Sequence, residues 1–323
     1  MESIELKPIR FLPYLKNVIW GGDKICSYKK IRQDQPNIGE SWEISVVPGF
    51  ESIVSEGRYK GKSLPSLIER FGEGLLGAKV MEKYGPRFPL LIKFIDARDN
   101  LSVQVHPDDK LAFKRHKSLG KTEMWYIINS EKGAKIWSGL KNELTPEDFE
   151  KQVSEGTFMD SVASHDSHEE DVFFLPAGRV HAIGAGNLLA EIQESSDITY
   201  RIYDYDRRDA DGNPRELHVE QAKDAIDFTV YDDYKSPAPA SEEEVSELVS
   251  CQHFSTKMLK INGERKFRLD GTSFRVLMCI KGRVDIITAG GILTLCQGQT
   301  VLLPASVEEV TFKGNAILLS TRC

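Results

Sequence analysis

Short apolar runs separated by polar turns dominate the first two thirds of the chain. FPLLIKFIDA (88–97), NLSVQVHP (100–107), TEMWYIINS (122–130), GAKIWSGL (133–140), EDVFFLPA (170–177) and NLLAEIQ (187–193) have the composition and length of strands. Between them, SLPSLIERFG (63–72) and PDDKLAFKRH (107–116) read as helices. TPEDFEKQVSEG (145–156) carries a fuller helix signature, because Thr145 can cap, Pro146 sits in the first turn and Asp148 lies three residues after the cap. ELHVEQAKDAIDF (216–228) predicts one further amphipathic helix.

The pattern changes at SPAPASEEEVSE, residues 236–247. Two prolines separated by one alanine stiffen the backbone, and the acidic run that follows is solvated. A linker is expected here; the other reading is a surface loop and a short acidic helix inside one domain. Beyond it, RKFRLDG, the long run 274–305 and EEVTFKGNAILLSTRC are short β-type stretches, with Gly282, Gly290, Gly291, Gly298 and Gly314 as punctuation. Such spacing predicts an antiparallel sandwich or barrel. FFLPAG (173–178) and VLLPAS (301–306) share a strand-like run ending in Leu-Pro-Ala, which fits two similar barrels in tandem. A chain of 323 residues, at roughly 150 per domain, also suggests about two.

In NLSVQVHP, alternation puts Ser102, Gln104 and His106 on one face and Leu101, Val103 and Val105 on the other. A polar row opposite an aliphatic one is the pattern of a barrel wall lining a polar cavity; a strand turned to water would alternate in the same way. Lys121 and Glu123, two apart, share a face, as they would in a simple salt-bridged sheet. Pro176-x-Gly178-x-x-His181 is a turn that can deliver His181 into a barrel mouth, with Gly178 free to take a positive φ. Two histidines and a carboxylate on strands match a catalytic metal site, and Gln104 offers an extra oxygen. Further on, Glu191, Asp197 and Arg201 interrupt an apolar and aromatic segment, and Arg201 suits a phosphate or an oxyanion as well as an ordinary surface ion pair. The remaining candidates are weaker. His165 and His168 lie in an acidic, solvated stretch, while His116 and His218 fall on or near helices.

Composition narrows the partners. With 42 Lys and Arg against 49 Asp and Glu, the net charge of −7 argues against a nucleic-acid footprint. It leaves room for an anionic substrate in a locally cationic cleft. No run approaches the roughly 20 apolar residues of a membrane span, and the N-terminal residues lack a signal-peptide core. Five cysteines without a CxxC pair suit a reducing, cytoplasmic setting. No GxxxxGK[ST] or GxGxxG phosphate loop occurs.

VIWGG (18–22), GESWEIS (39–45), FPLLIKFIDARDNLSVQVHPDD, GKTEMWYI, PAGRVHAIGAG and SDITYRIYDYDR occur in this order over most of the chain. Together they resemble the type I mannose-6-phosphate isomerases, a zinc-dependent branch of the cupins. The short linker and compact C-terminal part are similar to the smaller bacterial members. The resemblance implies a mainly β fold of tandem jelly-roll domains with a few inserted helices. Residues 1–235 would form the catalytic, metal-binding domain, 236–247 the linker, and 248–323 a metal-free cupin-like barrel. It places one Zn²⁺ per chain on Gln104, His106, Glu123 and His181, the active-site arginine on Arg201, and Lys121, Glu191 and Asp197 in the pocket. Arg201, Lys121 and Glu191 would then be catalytic, and Lys121, Asp197 and Arg201 would bind substrate.

Two departures bear on this. Gln104 stands where the general cupin pattern has a histidine, as in this branch, and Ala185 stands where the second cupin motif usually has an asparagine. The latter counts against a cupin dioxygenase. The implied reaction is the interconversion of D-mannose 6-phosphate and D-fructose 6-phosphate through a cis-enediol, with a small sugar phosphate as partner and neither nucleic acid nor membrane. The general base is open between Glu191, Lys121 and a metal-bound water, and the pattern sets no oligomeric state. The rival readings are a metal-dependent cupin oxygenase and a non-catalytic sugar-phosphate-binding cupin. The Gln/His/Glu/His set suits zinc better than redox iron, and the presence of both Lys121 and Arg201 favours turnover over binding alone.

Overall fold

The apolar runs become strands of two facing sheets in the N-terminal half. A computed structural model describes residues 7–32, 34–208, 212–237 and 244–323. One sheet has six strands in the order Val172–Leu175, Glu123–Ser130, Asn187–Glu194, Leu90–Ala97, Tyr14–Gly22, Ile38–Ile44. Facing it is a five-stranded sheet in the order Tyr200–Tyr203, Val103–Val105, His181–Ile183, Lys135–Leu140, Val162–Asp166. Every described pairing is antiparallel. The molecule is mainly β, with short helices at the periphery, and none of them is long and apolar enough to cross a membrane.

The six-stranded sheet is buried on both faces, which is why its strands read as near-continuous apolar runs. One face sends Trp125, Ile127, Ile95 and Leu189 against Ile136, Ile183 and Leu101. The other sends Met124, Tyr126, Ile92, Phe94 and Ile192 into a second cluster shared with Met258, Phe274, Val276 and Met278 of the C-terminal half. The four predicted helices form at Leu64–Phe71, Asp109–His116, Pro146–Glu155 and Val219–Ala225, the last shorter than its amphipathic segment. Thr145 caps as its spacing predicts: its Oγ1 accepts the Asp148 N–H at 3.1 Å, and the Asp148 carboxylate accepts the Thr145 N–H at 3.1 Å.

The C-terminal half builds an eight-stranded sheet around its own core of Leu259, Leu277, Val284, Ile286, Leu318 and neighbours. Two of the expected punctuation points behave differently. Gly282 and Gly314 lie inside the long strands Arg275–Thr288 and Glu309–Arg322, where positive φ values bend the backbone instead of ending it. Of the linker expected at 236–247, residues 238–243 lie outside the described residues, and 245–247 already belong to the strand Val245–Ser250. The sheet also takes in the N-terminal strand Ile9–Leu12, with Ile9 opposite Leu302 and Phe11 opposite Val54. Hydrogen bonding and core are therefore continuous between the two halves.

Candidate metal centre and active site

The antiparallel register assembles the site. On the five-stranded sheet, Gln104 stands opposite both His181 and Arg201, and His181 stands opposite Ser138. Directly opposed residues project to the same face, so Arg201, Gln104, His181 and Ser138 form one polar row. His106 follows the end of its strand and points into the same space. From the facing sheet, Glu123 projects inward beside Trp125 and Glu191.

Glu123 joins the two histidines. Its Oε1 lies 3.3 Å from His181 Nε2, and its Oε2 lies 3.6 Å from His106 Nε2. All three residues are buried, and one ligand atom from each falls within 4.8 Å of the others. Each imidazole is fixed from behind by a backbone carbonyl. His106 Nδ1 donates to Ile198 O at 2.9 Å, and His181 Nδ1 donates to Arg179 O at 2.8 Å. Both Nε2 lone pairs are thereby turned toward Glu123, the outer-shell arrangement that orients metal-binding histidines. Gln104 Nε2 lies 3.3 Å from His181 Nε2, and a half-turn of the amide puts its oxygen there instead.

Burial sets the charge states. It presses His181 down to about 3 and His106 well below the usual imidazole range, with Lys121 acting in the same direction on both. Both rings are neutral at physiological pH, as ligands must be. Burial also pushes the Glu123 carboxyl up to about 7. Neither of its oxygens accepts a well-directed hydrogen bond, although Lys121 Nζ stands 3.2 Å from Oε2 and 3.2 Å from His106 Nε2. A buried carboxylate with Lys121 as its one close cation and neither oxygen hydrogen-bonded, between two neutral imidazoles, is an arrangement that a divalent cation would stabilise. Two ligands each about 2.1 Å from a tetrahedral centre lie ~3.4 Å apart, close to the separations seen here. The donor set fits a divalent metal ion.

A second cluster adjoins it, and most of it was not anticipated. Lys93 Nζ lies 2.9 Å from Glu191 Oε1 and 3.7 Å from Glu40 Oε2, all three buried. Trp125 Nε1 donates to Glu191 Oε2 at 2.9 Å, so both Glu191 oxygens are engaged. Burial, the largest single influence, would raise Glu191 and Glu40, but Lys93 together with a second lysine (Lys121 for Glu191, Lys16 for Glu40) and an indole N–H (Trp125 and Trp42) holds both below the ordinary carboxylate range. The available signal was the single Lys93 inside FPLLIKFIDA, since a lysine in a strand buried on both faces requires a buried partner.

The remaining candidates separate. Arg201 is half-buried, its Nη1 donates to Glu216 O at 2.7 Å, and its Nε is buried without a partner. Burial, then the neighbouring Arg215 charge, presses it below the usual guanidinium value. Arg207 and Arg215 both pair with Asp204 nearby, so this corner is cationic. Asp197 is exposed in the loop ahead of Tyr200, and its side chain makes no hydrogen bond or ion pair with a described residue. His165, His116 and His218 are occupied by Ser138 O, the Tyr200 hydroxyl and the Arg201 N–H, and the His168 side chain is mostly exposed.

Residues 9–134 match the family model "Phosphomannose isomerase type I, catalytic domain", and residues 244–322 match "Mannose-6-phosphate isomerase, cupin domain". The chain is 34% identical over 313 residues to mannose-6-phosphate isomerase ManA of Bacillus subtilis, covering 96% of this chain and 97% of that one. It is 32% identical over 324 residues to the mannose-6-phosphate isomerase of Streptococcus mutans, covering 98% of each. The crystal structure of the mannose 6-phosphate isomerase from Bacillus subtilis superposes with a TM-score of 0.89 at 33% identity, covering 98% of this chain and 99% of that one. A structure from Archaeoglobus fulgidus shares the fold, with a TM-score of 0.81 at 23% identity over 99% of each chain.

Proposed function

The chain belongs to the type I mannose-6-phosphate isomerase family, and from that premise we propose that it is a zinc-dependent enzyme interconverting D-mannose 6-phosphate and D-fructose 6-phosphate through a cis-enediol. The observation that supports the metal is the Glu123 carboxylate, buried and short of hydrogen bonds between two neutral imidazoles. His106, Glu123 and His181 hold the ion, and Gln104 adds its amide oxygen. When bound, the metal supplies Lewis-acid stabilisation of negative charge developing on the sugar oxygens.

The chain's own residues divide the rest. Aldose–ketose isomerisation moves a proton between C2 and C1 and needs a positive environment for the enediolate. Lys121 is the group we assign to meet the reacting end of the sugar. Its Nζ borders the ligand cluster, whereas the imidazole Nδ1 atoms are tied to carbonyls and both Glu191 oxygens are held. Glu191, expected from the sequence to be catalytic, instead serves as the ionised carboxylate that fixes Lys93 and sets the charge of the inner wall. Arg201, backed by Arg207 and Arg215, supplies positive charge for an anionic substrate. Asp197, exposed in the loop ahead of Tyr200, is assigned the part of accepting a hydrogen bond from a sugar hydroxyl. The five cysteines are free, in keeping with a reducing, cytoplasmic setting.

The test is a coupled assay on mannose 6-phosphate with purified protein, before and after chelation and after zinc is returned. Turnover should vanish with the metal and come back with zinc. Full activity in metal-free protein would refute the metal assignment, and an inactive, zinc-loaded protein would refute the substrate.

A further inference from the structure

The eight-stranded sheet of the C-terminal half carries charge for which the isomerase reading has no use. Its core includes Leu259, Leu277, Cys279 and Leu318 on three neighbouring strands. Following each inward row two residues at a time toward one end reaches Lys257, Arg275 and, past Ser320, Arg322. These cations stand at the mouth of a cavity of about 180 Å³ whose floor includes Leu277, Leu303 and Phe312. Among the described residues, no aspartate or glutamate lines it.

The nearby carboxylates leave much of this charge uncompensated. Asp270 pairs with Arg322 at 2.9 Å, Glu309 stands opposite the exposed Arg268 in the strand ladder, and Glu247 stands opposite Lys257 without forming an ion pair. Arg275 is half-buried beside Leu277 and Leu303, and its guanidinium donates to no described residue. Burial, then the charge of Arg322, presses Arg275 below the usual guanidinium value, the direction in which an added anion is welcome. A planar, unengaged guanidinium over an apolar floor, with a lysine and a second arginine beside it, is suited to an oxyanion.

We propose that this mouth is a second anion-binding site, separate from the metal centre, for a small metabolite bearing a phosphate or several carboxylates. The anionic group sits on Arg275, Lys257 and Arg322, and the body of the ligand covers Leu277 and Leu303. The cavity has room for a compact ligand and not for a nucleotide. The site does not depend on the isomerase reading.

The experiment is calorimetric titration of the full-length protein with inorganic phosphate and, separately, with citrate, using the wild type, Arg275→Gln, Lys257→Gln and Arg201→Ala. At least one anion should bind with a component that Arg275→Gln weakens about tenfold or more and Lys257→Gln also weakens, as loss of a charge-assisted contact implies. Arg201→Ala should leave that component in place, and Arg275→Gln should turn over mannose 6-phosphate as the wild type does. Phosphate alone responding identifies a phosphorylated ligand, and citrate alone a polycarboxylate. If neither anion binds, or if all binding disappears in Arg201→Ala and survives in Arg275→Gln, the second site does not exist. Should Arg275→Gln melt early, Lys257→Gln decides: binding unchanged in that variant overturns the proposal.

Discussion

At the scale of single residues, charge placed in a dry site separates turnover from stability. Arg201 and Lys121 are cations and cannot ligate a metal while protonated, since neither has an acceptor. Arg201→Ala and Lys121→Ala should each lose roughly two to three orders of magnitude in kcat/KM, as removal of a transition-state contact does. Metal content by elemental analysis and the melting profile should stay close to wild type. Lys93 is the opposite case. Lys93→Met leaves the buried Glu191 without its ion-pair partner and Glu40 with only the more exposed Lys16, 3.5 Å away, and breaking such a buried pair costs about 3–5 kcal/mol. Both carboxylates have folded pKa values below their unfolded ones, so the native state binds fewer protons. Their contribution is present above the ordinary carboxylate pKa and is lost as pH falls below it. Denaturant midpoints across acid pH should therefore fall below about 4.5 in the wild type, and less steeply in Lys93→Met.

At the scale of elements, turns and caps divide into those that aim the site and those that only hold the fold. Gly178 has φ 92° and donates its N–H to His106 O at 2.9 Å, so the turn ahead of His181 is tied to the strand end that carries His106. A Cβ there would meet Ala225 O at 3.1 Å and Asp227 at 3.3 Å. Gly178→Ala should cost about 1–2 kcal/mol from the positive φ alone and should weaken metal retention, measured by competition with a chelator. Thr145→Ala is the control. Loss of the cap costs about 1 kcal/mol, yet the helix Pro146–Glu155 carries none of the site residues, so kcat/KM should not change. If the two variants affected metal affinity alike, the turn would have no special part in aiming His181.

At the scale of the whole molecule, the two halves share strands and core. The strand Ile9–Leu12 pairs with Thr300–Leu303, and Phe94 and Tyr126 lie in one cluster with Phe274 and Met278. Polar braces cross as well: Lys29 Nζ contacts Glu43 at 2.5 Å and Gly298 O at 2.7 Å, and His253 Nδ1 lies 2.8 Å from Glu194 Oε1. We propose that catalytic residues reside in the first half and that the C-terminal half supports it as part of one cooperative unit. Calorimetry should then show one transition, and a chain ending before residue 244 should fail to give a cooperative melt. Two resolved transitions would contradict this.

What the sequence determined by itself was whatever depends on a few neighbouring residues. Alternation over two positions put Gln104 and His106 on one face, Thr145 stood three residues before Asp148 at cap spacing, and Pro176 with Gly178 marked the turn before His181. The family likeness was legible because such local motifs recur in order. Tertiary structure decided the rest, since pairing and burial come from contacts distant in the chain. Lys93 finds Glu191 98 residues away, and nothing near it names that partner. The strand Ile9–Leu12 joins a sheet whose other members, Ile53–Val54 apart, come from the last third of the chain. Gly282 and Gly314 read as strand ends because glycine favours turns, but the long β-ladder between their strands spans both positions and turns them into bends. Exposure of Asp197 and enclosure of Glu123 follow from how the two sheets face each other, a placement that no local pattern encodes.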